Sequence, residues 1–264
     1  MSNNSKRLEE KLVVITGGCG DIAQATAERL TAEGAKVVLL DVVSTDGLSA
    51  ELKAKLNNGE VKYIQCDVSD RTSVESAFEK IMASHPRLDV VIPNAGMVEN
   101  QPFLEIELDK LRKTLDVNFY GAFHAAQIGA RIMVNQEPSD RGVRGKIVFT
   151  GSWVSDMPWP EGTSYGVSKS AVKRMATSIA QELASRGVRV NVLSPGIVMA
   201  GLSKQIYLRD PQFRERVGEA IPLGDMQSAE SVADAFAFLC SSDSDYMTGA
   251  NLVVDGGCSL VKRN

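Results

Sequence analysis

Tyr165 and Lys169 stand four positions apart in the segment Ser164–Ser185, whose pattern is typical of an amphipathic helix. Residues four apart lie on one face of a helix, so the phenol and the ammonium project into the same space. A nearby cation favours the ionised form of a phenol, which makes the pair a candidate for proton transfer. The alternative is an ordinary pair of side chains on a helix surface.

Two further polar residues strengthen this hypothesis. Ser152 lies just past the predicted strand Lys146–Thr150, thirteen positions before Tyr165. Asn118 lies in Leu108–Val134, which we predict to be one long helix. His124 is on the same predicted helix, and we expect it to be a packed or hydrogen-bonded core residue rather than a catalyst. The chain has only two histidines, so histidine-based catalysis has few candidates.

Short apolar runs rich in β-branched residues alternate with helix-length segments along the whole chain. Apolar residues on both faces are typical of parallel strands covered by helices on each side. The pattern predicts an α/β fold with a single Rossmann-like, doubly wound parallel sheet flanked by helices on both faces. We expect one domain over residues 1–264, with a polar tail at 1–10. The predicted strands are Leu12–Thr16, Lys36–Asp41, Val61–Cys66, Leu88–Ile92, Lys146–Thr150, Val188–Leu193 and Asn251–Val254. The other predicted helices are Ile22–Glu33, Ser73–Ser84 and Glu230–Ser241.

A glycine-rich turn, 16–20, follows the first predicted strand and precedes the first predicted helix. Glycines allow the backbone to approach a pyrophosphate, and a helix N-terminus supplies N–H donors. Asp41 ends the second strand, where a carboxylate can bind ribose hydroxyls and would repel a 2′-phosphate. No basic residue stands in the turn or directly after Asp41, so the sequence favours NAD over NADP. Asp67, after the third strand, either contacts adenine or caps the next helix.

Composition excludes several classes of protein. The net charge of −4 and the lack of a basic run argue against a nucleic-acid partner. No stretch predicts a membrane span, and the polar N-terminus lacks an apolar signal core, so we expect a cytoplasmic protein with no membrane partner. The four cysteines are scattered without a CxxC pair, which argues against a disulfide framework and a zinc site.

These motifs, in this order, resemble the short-chain dehydrogenase/reductase family of the compact, roughly 250-residue type. The resemblance runs from about Lys11 to Gly257, nearly the whole chain. Besides the glycine turn it rests on Asn94-Ala95-Gly96, Asn118, Ser152, Tyr165, Lys169, Pro195-Gly196 and Asp255-Gly256-Gly257.

The resemblance implies that Tyr165 is the general acid/base and that Ser152 holds the substrate oxygen. It implies that Lys169 binds the nicotinamide ribose and lowers the pKa of the tyrosine, and that Asn118 holds a water of the proton relay. One cation at about 4 Å, with an effective dielectric of about 20, suffices to lower a phenol pKa by roughly three units. The expected cofactor contacts are Gly17, Asp21, Ile22, Asp41, Asp67, Val68, Asn94, Gly96, Tyr165, Lys169, Pro195 and Val198.

The chain departs from the family pattern at three places. Most members have glycine where Asp21 and Ala23 stand, and the Asp21 carboxylate should weaken pyrophosphate binding unless it turns away. Pro93 replaces an asparagine. Ala200 replaces a threonine that, in the family, hydrogen-bonds the nicotinamide carboxamide. The backbone around Ile197–Val198, or Ser203, would have to supply that hydrogen bond instead.

The predicted substrate is a small-molecule alcohol or carbonyl compound. Two segments, Trp153–Trp159 and Met199–Gly224, should wall its site, with Ser152, Trp153, Trp159 and Tyr165 as substrate contacts. The first hypothesis is an NAD-dependent alcohol, polyol or sugar dehydrogenase. The alternatives are an NADP-dependent ketoacyl-thioester reductase and a non-catalytic dinucleotide sensor on the same fold.

Members of this family usually form tetramers, so we expect a homo-oligomer, most simply a tetramer. A group of apolar residues is compatible with such an interface, although a monomer core would use them too. They are Phe119, Phe123, Phe236, Phe238 and Leu252.

Overall fold

The computed structural model describes residues 6–260, except for the side chain of Leu202. Within this range one parallel sheet of seven strands has the order β3-β2-β1-β4-β5-β6-β7. The order reverses between β1 and β4, which is where α/β sheets open a crevice at the carboxyl ends of their strands. The doubly wound sheet is confirmed. The strands are β1 (Leu12–Thr16), β2 (Lys36–Asp41), β3 (Val61–Gln65), β4 (Val90–Ile92), β5 (Gly145–Thr150), β6 (Val188–Pro195) and β7 (Asn251–Val254).

The helices agree with most of the predicted segments to within two residues. They are α1 (Asp21–Ala32), α2 (Ala50–Asn57), α3 (Arg71–Met82), α4 (Leu108–Leu115), α5 (Ala122–Met133), α6 (Thr163–Leu183), α7 (Gly201–Arg209), α8 (Pro211–Ala220) and α9 (Ala229–Cys240). The helix α2 was not predicted, although Ser49 caps it by accepting a hydrogen bond from the Leu52 N–H.

The predicted helix Leu108–Val134 is present as one unbroken helical segment, Leu108–Met133, but its middle part is not α-helical. A π-helical turn, Asp116–Gly121, separates α4 from α5. Glycine is required at the end of this turn, since a Cβ on Gly121 would lie 2.6 Å from Cγ2 of Val68. Turns of this kind are frequent at functional sites, and this one contains Asn118.

Consecutive residues of β1 face opposite sides of the sheet, and all are buried. Leu12 and Val14 pack with α3, α5 and α6 on one side. Val13 and Ile15 pack with α1 and α9 on the other. This arrangement explains why the strands are apolar on both faces.

Four of the five apolar residues considered for a tetramer interface pack in the core of the single chain. Phe236 is fully buried, and Phe119, Phe238 and Leu252 pack partly buried against the two core clusters. The predicted polar tail 1–10 is described only from Lys6. In it, Leu8 is buried, and its N–H donates to the carbonyl of Glu33 at 3.1 Å.

A buried ion pair lies at the beginning of β5. Nζ of Lys146 is 2.8 Å from Oδ1 of Asp245 and 2.9 Å from Oγ of Ser244, and it also donates to the carbonyl of Ser241. The two charged side chains are only 6% and 15% exposed. Burial lowers the pKa of Lys146, and the carboxylate of Asp245 opposes this shift.

Candidate active site

A cleft with a volume of about 380 Å³ opens at the carboxyl ends of the strands, beside the reversal of strand order. Eleven predicted site residues line it, although they are distant in the sequence. They are Gly17, Asp21, Ile22, Asp41, Asn94, Gly96, Ser152, Tyr165, Lys169, Pro195 and Val198. Ala200 and Ser203 line the cleft as well. Ser203 therefore brings a hydroxyl to the same cleft as Ala200, the position at which the family pattern has threonine.

Other predicted residues lie elsewhere. Asp67 is exposed and accepts hydrogen bonds from the N–H and hydroxyl of Ser69, while Asp70, rather than Asp67, caps α3. Val68 is buried, and its carbonyl pairs with Nδ1 of His124 at 2.9 Å, as expected for a hydrogen-bonded core histidine. Neither Asp67 nor Val68 lines the cleft, so their cofactor contacts stay predictions.

The glycine turn requires its first glycine. Gly17 has a φ of +70°, and a Cβ there would lie 2.7 Å from Cα of Ala95. The adjacent segment is held to the turn by Thr16, whose hydroxyl accepts from the N–H groups of Asn94 and Ala95, both at 3.0 Å. The helix α1 begins directly afterwards with its N–H groups at the cleft, as an anion site requires.

Asp21 turns toward α7 at the point where α7 begins. Its Oδ2 accepts a hydrogen bond from the N–H of Gly201 at 2.8 Å. The carboxylate therefore meets the positive end of the α7 dipole as well as that of α1. The Asp21 side chain is therefore bonded to α7 although it still lines the cleft, and its effect on pyrophosphate binding stays a prediction.

Asp41 is held rigidly at the end of β2. Its Oδ2 accepts from the N–H of Cys19 at 2.9 Å, and its Oδ1 accepts from the N–H of Val43 at 3.2 Å. The carboxylate thus faces the adenosine end predicted for the cleft. Among the described residues that line the cleft, Lys169 is the only lysine or arginine.

Tyr165 and Lys169 lie on one face of α6, as predicted. The ammonium of Lys169 donates to the carbonyl of Thr150 at 2.9 Å and lies 5.7 Å from the centre of the Tyr165 ring. Gly96 lies opposite, and a Cβ there would come within 3.6 Å of Nζ of Lys169. Thr150, the last residue of β5, was missed by the sequence analysis, although a threonine at the end of a central strand was a usable signal.

The expected lowering of the Tyr165 pKa by Lys169 stays a prediction, and in the chain alone burial acts in the opposite direction. Burial raises the pKa of Tyr165, and its hydrogen bond with Ser152 only opposes this shift. Burial also lowers the pKa of Lys169 to about 8, so part of the charge that was expected to act on the phenol is lost near that pH. The reason is that both groups are withdrawn from water, which disfavours their charged forms.

Asn118 connects two parts of the site through its side chain. It is almost fully buried, and its Oδ1 accepts from the N–H of Met97 at 2.8 Å. Its Nδ2 donates to the carbonyl of Met97 at 2.9 Å and to the hydroxyl of Ser168 at 3.0 Å. Both amide hydrogens are therefore used to join the 94–97 segment to α6. The role of Asn118 toward a relay water stays a prediction.

Ser152 and Tyr165 also line a second, smaller cavity that adjoins the cleft. Trp153 and Trp159 are part of its wall, with ring centres 5.4 Å apart in an edge-to-face arrangement. The two hydroxyl side chains therefore lie on the border between a long polar cleft and an aromatic compartment. This is the arrangement required if one compartment holds a cofactor and the other a substrate.

Residues 6–260 lack the features of two other classes of protein. No cluster of three or more histidine, cysteine or acidic residues is arranged to hold a metal ion there. None of the described helices is long and apolar enough to cross a membrane.

The buried Lys169 should give stability a defined dependence on pH. Its pKa is about 8 in the folded chain and 10.5 in the unfolded chain, so the unfolded chain binds more protons between these values. Stability from this group therefore rises with pH across that window, by at most about 1.4 kcal/mol per unit. We expect the stability of the wild type, relative to Lys169→Met, to increase from about pH 7.5 to about pH 9.5 in urea titrations. A constant or falling difference would contradict this assignment.

Comparison with known proteins agrees with the architecture and extends it. A family model described as enoyl-(acyl carrier protein) reductase matches residues 19–259. Tropinone reductase-like 1 of Erythroxylum coca is 37% identical, over 97% of this chain and 93% of its own. (+)-Borneol dehydrogenase 1 of Salvia officinalis is 34% identical, over 97% of this chain and 96% of its own.

Among solved structures, a gluconate 5-dehydrogenase from Burkholderia cenocepacia, in complex with NADP and tartrate, is similar with a TM-score of 0.88. It is 26% identical, and the match covers 98% of this chain and 99% of that one. The family match, the two relatives and this structure all cover nearly the whole chain, as does the set of motifs. The chain belongs to the short-chain dehydrogenase/reductase family.

Proposed function

We propose that the protein is an NAD-dependent oxidoreductase that interconverts a secondary alcohol and its carbonyl compound by hydride transfer. One observation carries the proposal. Ser152 and Tyr165 lie on the border between the 380 Å³ cleft and the aromatic compartment, with Lys169 behind them. The names of the relatives, a borneol dehydrogenase and a tropinone reductase-like protein, support an oxidoreductase acting on alcohols or ketones.

The residues of this chain would divide the work as follows. The nicotinamide, when bound, supplies the hydride donor or acceptor. The Ser152 hydroxyl holds the substrate oxygen, and Tyr165 exchanges a proton with that oxygen. Because burial raises the pKa of Tyr165, the neutral phenol is a ready acid for carbonyl reduction. In alcohol oxidation the phenol must first lose its proton, so this direction should be faster at higher pH.

Residues of the cleft fit a dinucleotide. Gly17 permits close backbone approach, the start of α1 offers N–H donors to a pyrophosphate, and Asp41 accepts from ribose hydroxyls. Lys169 would hold the nicotinamide ribose. A bound 2′-phosphate would stand against the fixed carboxylate of Asp41, which supports NAD, whereas the gluconate 5-dehydrogenase structure contains NADP.

Cofactor preference is the direct test of this part of the proposal. We expect NADH to bind at least tenfold more tightly than NADPH, a difference of about 1.4 kcal/mol. Asp41→Asn keeps the shape of the side chain without its charge, so it should narrow the difference by improving NADPH binding. Fluorescence titration of the wild type and the variant measures both affinities. Equal affinity of the wild type for the two cofactors would reject the preference.

An NADP-dependent ketoacyl-thioester reductase is the second candidate, because the matching family model is described by an acyl-carrier-protein substrate. The same titration separates the two candidates, since this alternative needs tight NADPH binding. The intact set of Tyr165, Lys169 and Ser152 argues against a non-catalytic dinucleotide sensor.

The proposal includes a homotetramer. The predicted aromatic residues are largely used by the core, but other large apolar side chains are exposed on α4, the π turn and α6, namely Leu108, Tyr120 and Val167. Such exposed groups are typical of an interaction surface when they form one patch. Light scattering that returned a monomer mass would reject the tetramer.

A further inference from the structure

The aromatic compartment has a volume of about 140 Å³ and shares Ser152, Tyr165 and Ser203 with the cofactor cleft. A cavity of about 150 Å³ in a protein core holds one benzene molecule. A single compact ring therefore fits this compartment with its reactive carbon at the two catalytic hydroxyls.

The walls of the compartment are mostly apolar. Its large side chains are those of Trp153, Trp159, Ile197, Ile206 and Phe213. Trp153 and Phe213 are less than a tenth exposed, so these walls are fixed by packing rather than by solvent. Ile206 comes from α7 and Phe213 from α8, so these two helices form part of the compartment wall.

Polar groups are few in this compartment. Among the described residues that line it, no side chain is charged, and Asn100 and Ser203 are the only side-chain hydrogen-bonding groups besides the tryptophan N–H groups and the catalytic Ser152 and Tyr165. A polyol would have to give up water at several hydroxyls with too few partners to replace it. A sugar acid would leave its carboxylate without a cation, which is costlier still. An apolar ring gains from the same burial.

We propose that the substrate is an uncharged secondary alcohol, or its ketone, whose reacting carbon belongs to a compact apolar ring. This inference rests on the proposed hydride-transfer function and makes it narrower. It excludes polyols and sugars, which the sequence alone left open, and also sugar acids as preferred substrates. Ile206 and Phe213 are the residues that determine this specificity from the side of α7 and α8.

The test compares kcat/KM for two groups of alcohols. Oxidation is measured with NAD and with NADP through the absorbance of the reduced nicotinamide. The ring probes are cyclohexanol and 2-norbornanol, and the polar probes are sorbitol and gluconate. We expect the better ring alcohol to exceed both polar probes by at least 100-fold, which corresponds to about 2.7 kcal/mol. Sorbitol or gluconate as the better substrate would overturn the ring assignment and leave hydride transfer standing. Failure to oxidise any of the four with either cofactor would remove the proposed function and the assignment together.

A pair of matched variants tests the wall itself. Ile206→Arg places a cation in the compartment, whereas Leu208→Arg places one on the same helix at a position that is 63% exposed. We expect Ile206→Arg to lower kcat/KM for cyclohexanol at least tenfold and to improve gluconate relative to it, while Leu208→Arg changes either value less than twofold. NADH affinity reports that each variant is folded. If the arginine variant does not fold, Ile206→Gln tests the same wall with a smaller change. Wild-type rates for cyclohexanol in both Ile206 variants would refute the assignment.

Discussion

Replacement of Tyr165 by phenylalanine is expected to lower kcat at least 100-fold, because loss of a general acid/base removes about a hundredfold to ten-thousandfold of rate. The ring keeps its packing beneath Lys169, whose ammonium is 5.7 Å from the ring centre, so only the exchangeable proton is lost. Affinity for NADH should stay within about twofold, on the order of 0.4 kcal/mol. Steady-state rates with a ring alcohol, together with a fluorescence titration of NADH, measure the two effects separately.

The pH profile adds a readout that a packing defect would not change. Burial raises the pKa of Tyr165, so the fraction of ionised phenol, and with it the rate of alcohol oxidation, should rise with pH in the wild type. The phenylalanine variant should lack this rise. Tyr246→Phe is the matched control, because that hydroxyl is fully exposed far along the chain from α6, and it should retain wild-type rates. Retained turnover in Tyr165→Phe would reject the assigned role.

Removal of Asp245 should have the largest effect on stability. It leaves the charge of Lys146 buried without its counter-ion, which typically costs about 3–5 kcal/mol. The hydrogen bonds to Ser241 and Ser244 remain, so the lysine stays solvated by neutral groups only. Asp245→Leu, measured by urea denaturation near neutral pH, should therefore unfold at a clearly lower midpoint. The deficit should shrink as pH rises, because the pKa of Lys146 is already lowered by burial and loss of the proton relieves the unpaired charge.

Two controls isolate this ion pair. The double variant Lys146→Met/Asp245→Leu removes both charges and should recover much of the lost stability. Asp243→Asn breaks the bond between Arg7 and a carboxylate that is 50% exposed, and exposed pairs contribute only about 0–1 kcal/mol. If Asp245→Leu were no more destabilising than Asp243→Asn, the pair at the beginning of β5 would contribute little.

The sequence was sufficient where short-range patterns determine the structure. Apolar runs gave the seven strands, and the glycine turn, Tyr165 and Lys169 were found from their positions at strand ends and on one helix face. The predicted strand ends were less accurate, since the predicted strand Leu88–Ile92 begins only at Val90. The N–H of Leu88 instead donates a hydrogen bond to the side chain of Gln136, which lies 48 positions away.

Features that depend on contacts between distant residues could not be predicted from the sequence. The hydrogen bond from the Gly201 N–H to Asp21 joins residues 180 positions apart, so no local sequence pattern predicts it. The direction of the pKa shift of Tyr165 depends on how deeply α6 packs, which spacing does not reveal. The apolar compartment likewise needs α7 and α8 to fold over Trp153 and Trp159, and each of these segments alone looks like ordinary packing.

The π-helical turn at Asp116–Gly121 sets the phase between the two helices that it joins. A π turn accommodates one residue more than an α-helix does, and each residue in an α-helix rotates the chain by about 100°. A homologue one residue shorter at this point would continue as a straight α-helix with the following residues in the same orientation, because the π turn takes up its extra residue within one turn. A residue lost from α4 itself would instead rotate everything after it by that angle. Ala125 and Ala126, which now pack into the core, would then turn away from the sheet. Single-residue deletions in α4 should therefore disturb the core more than deletions within 116–121.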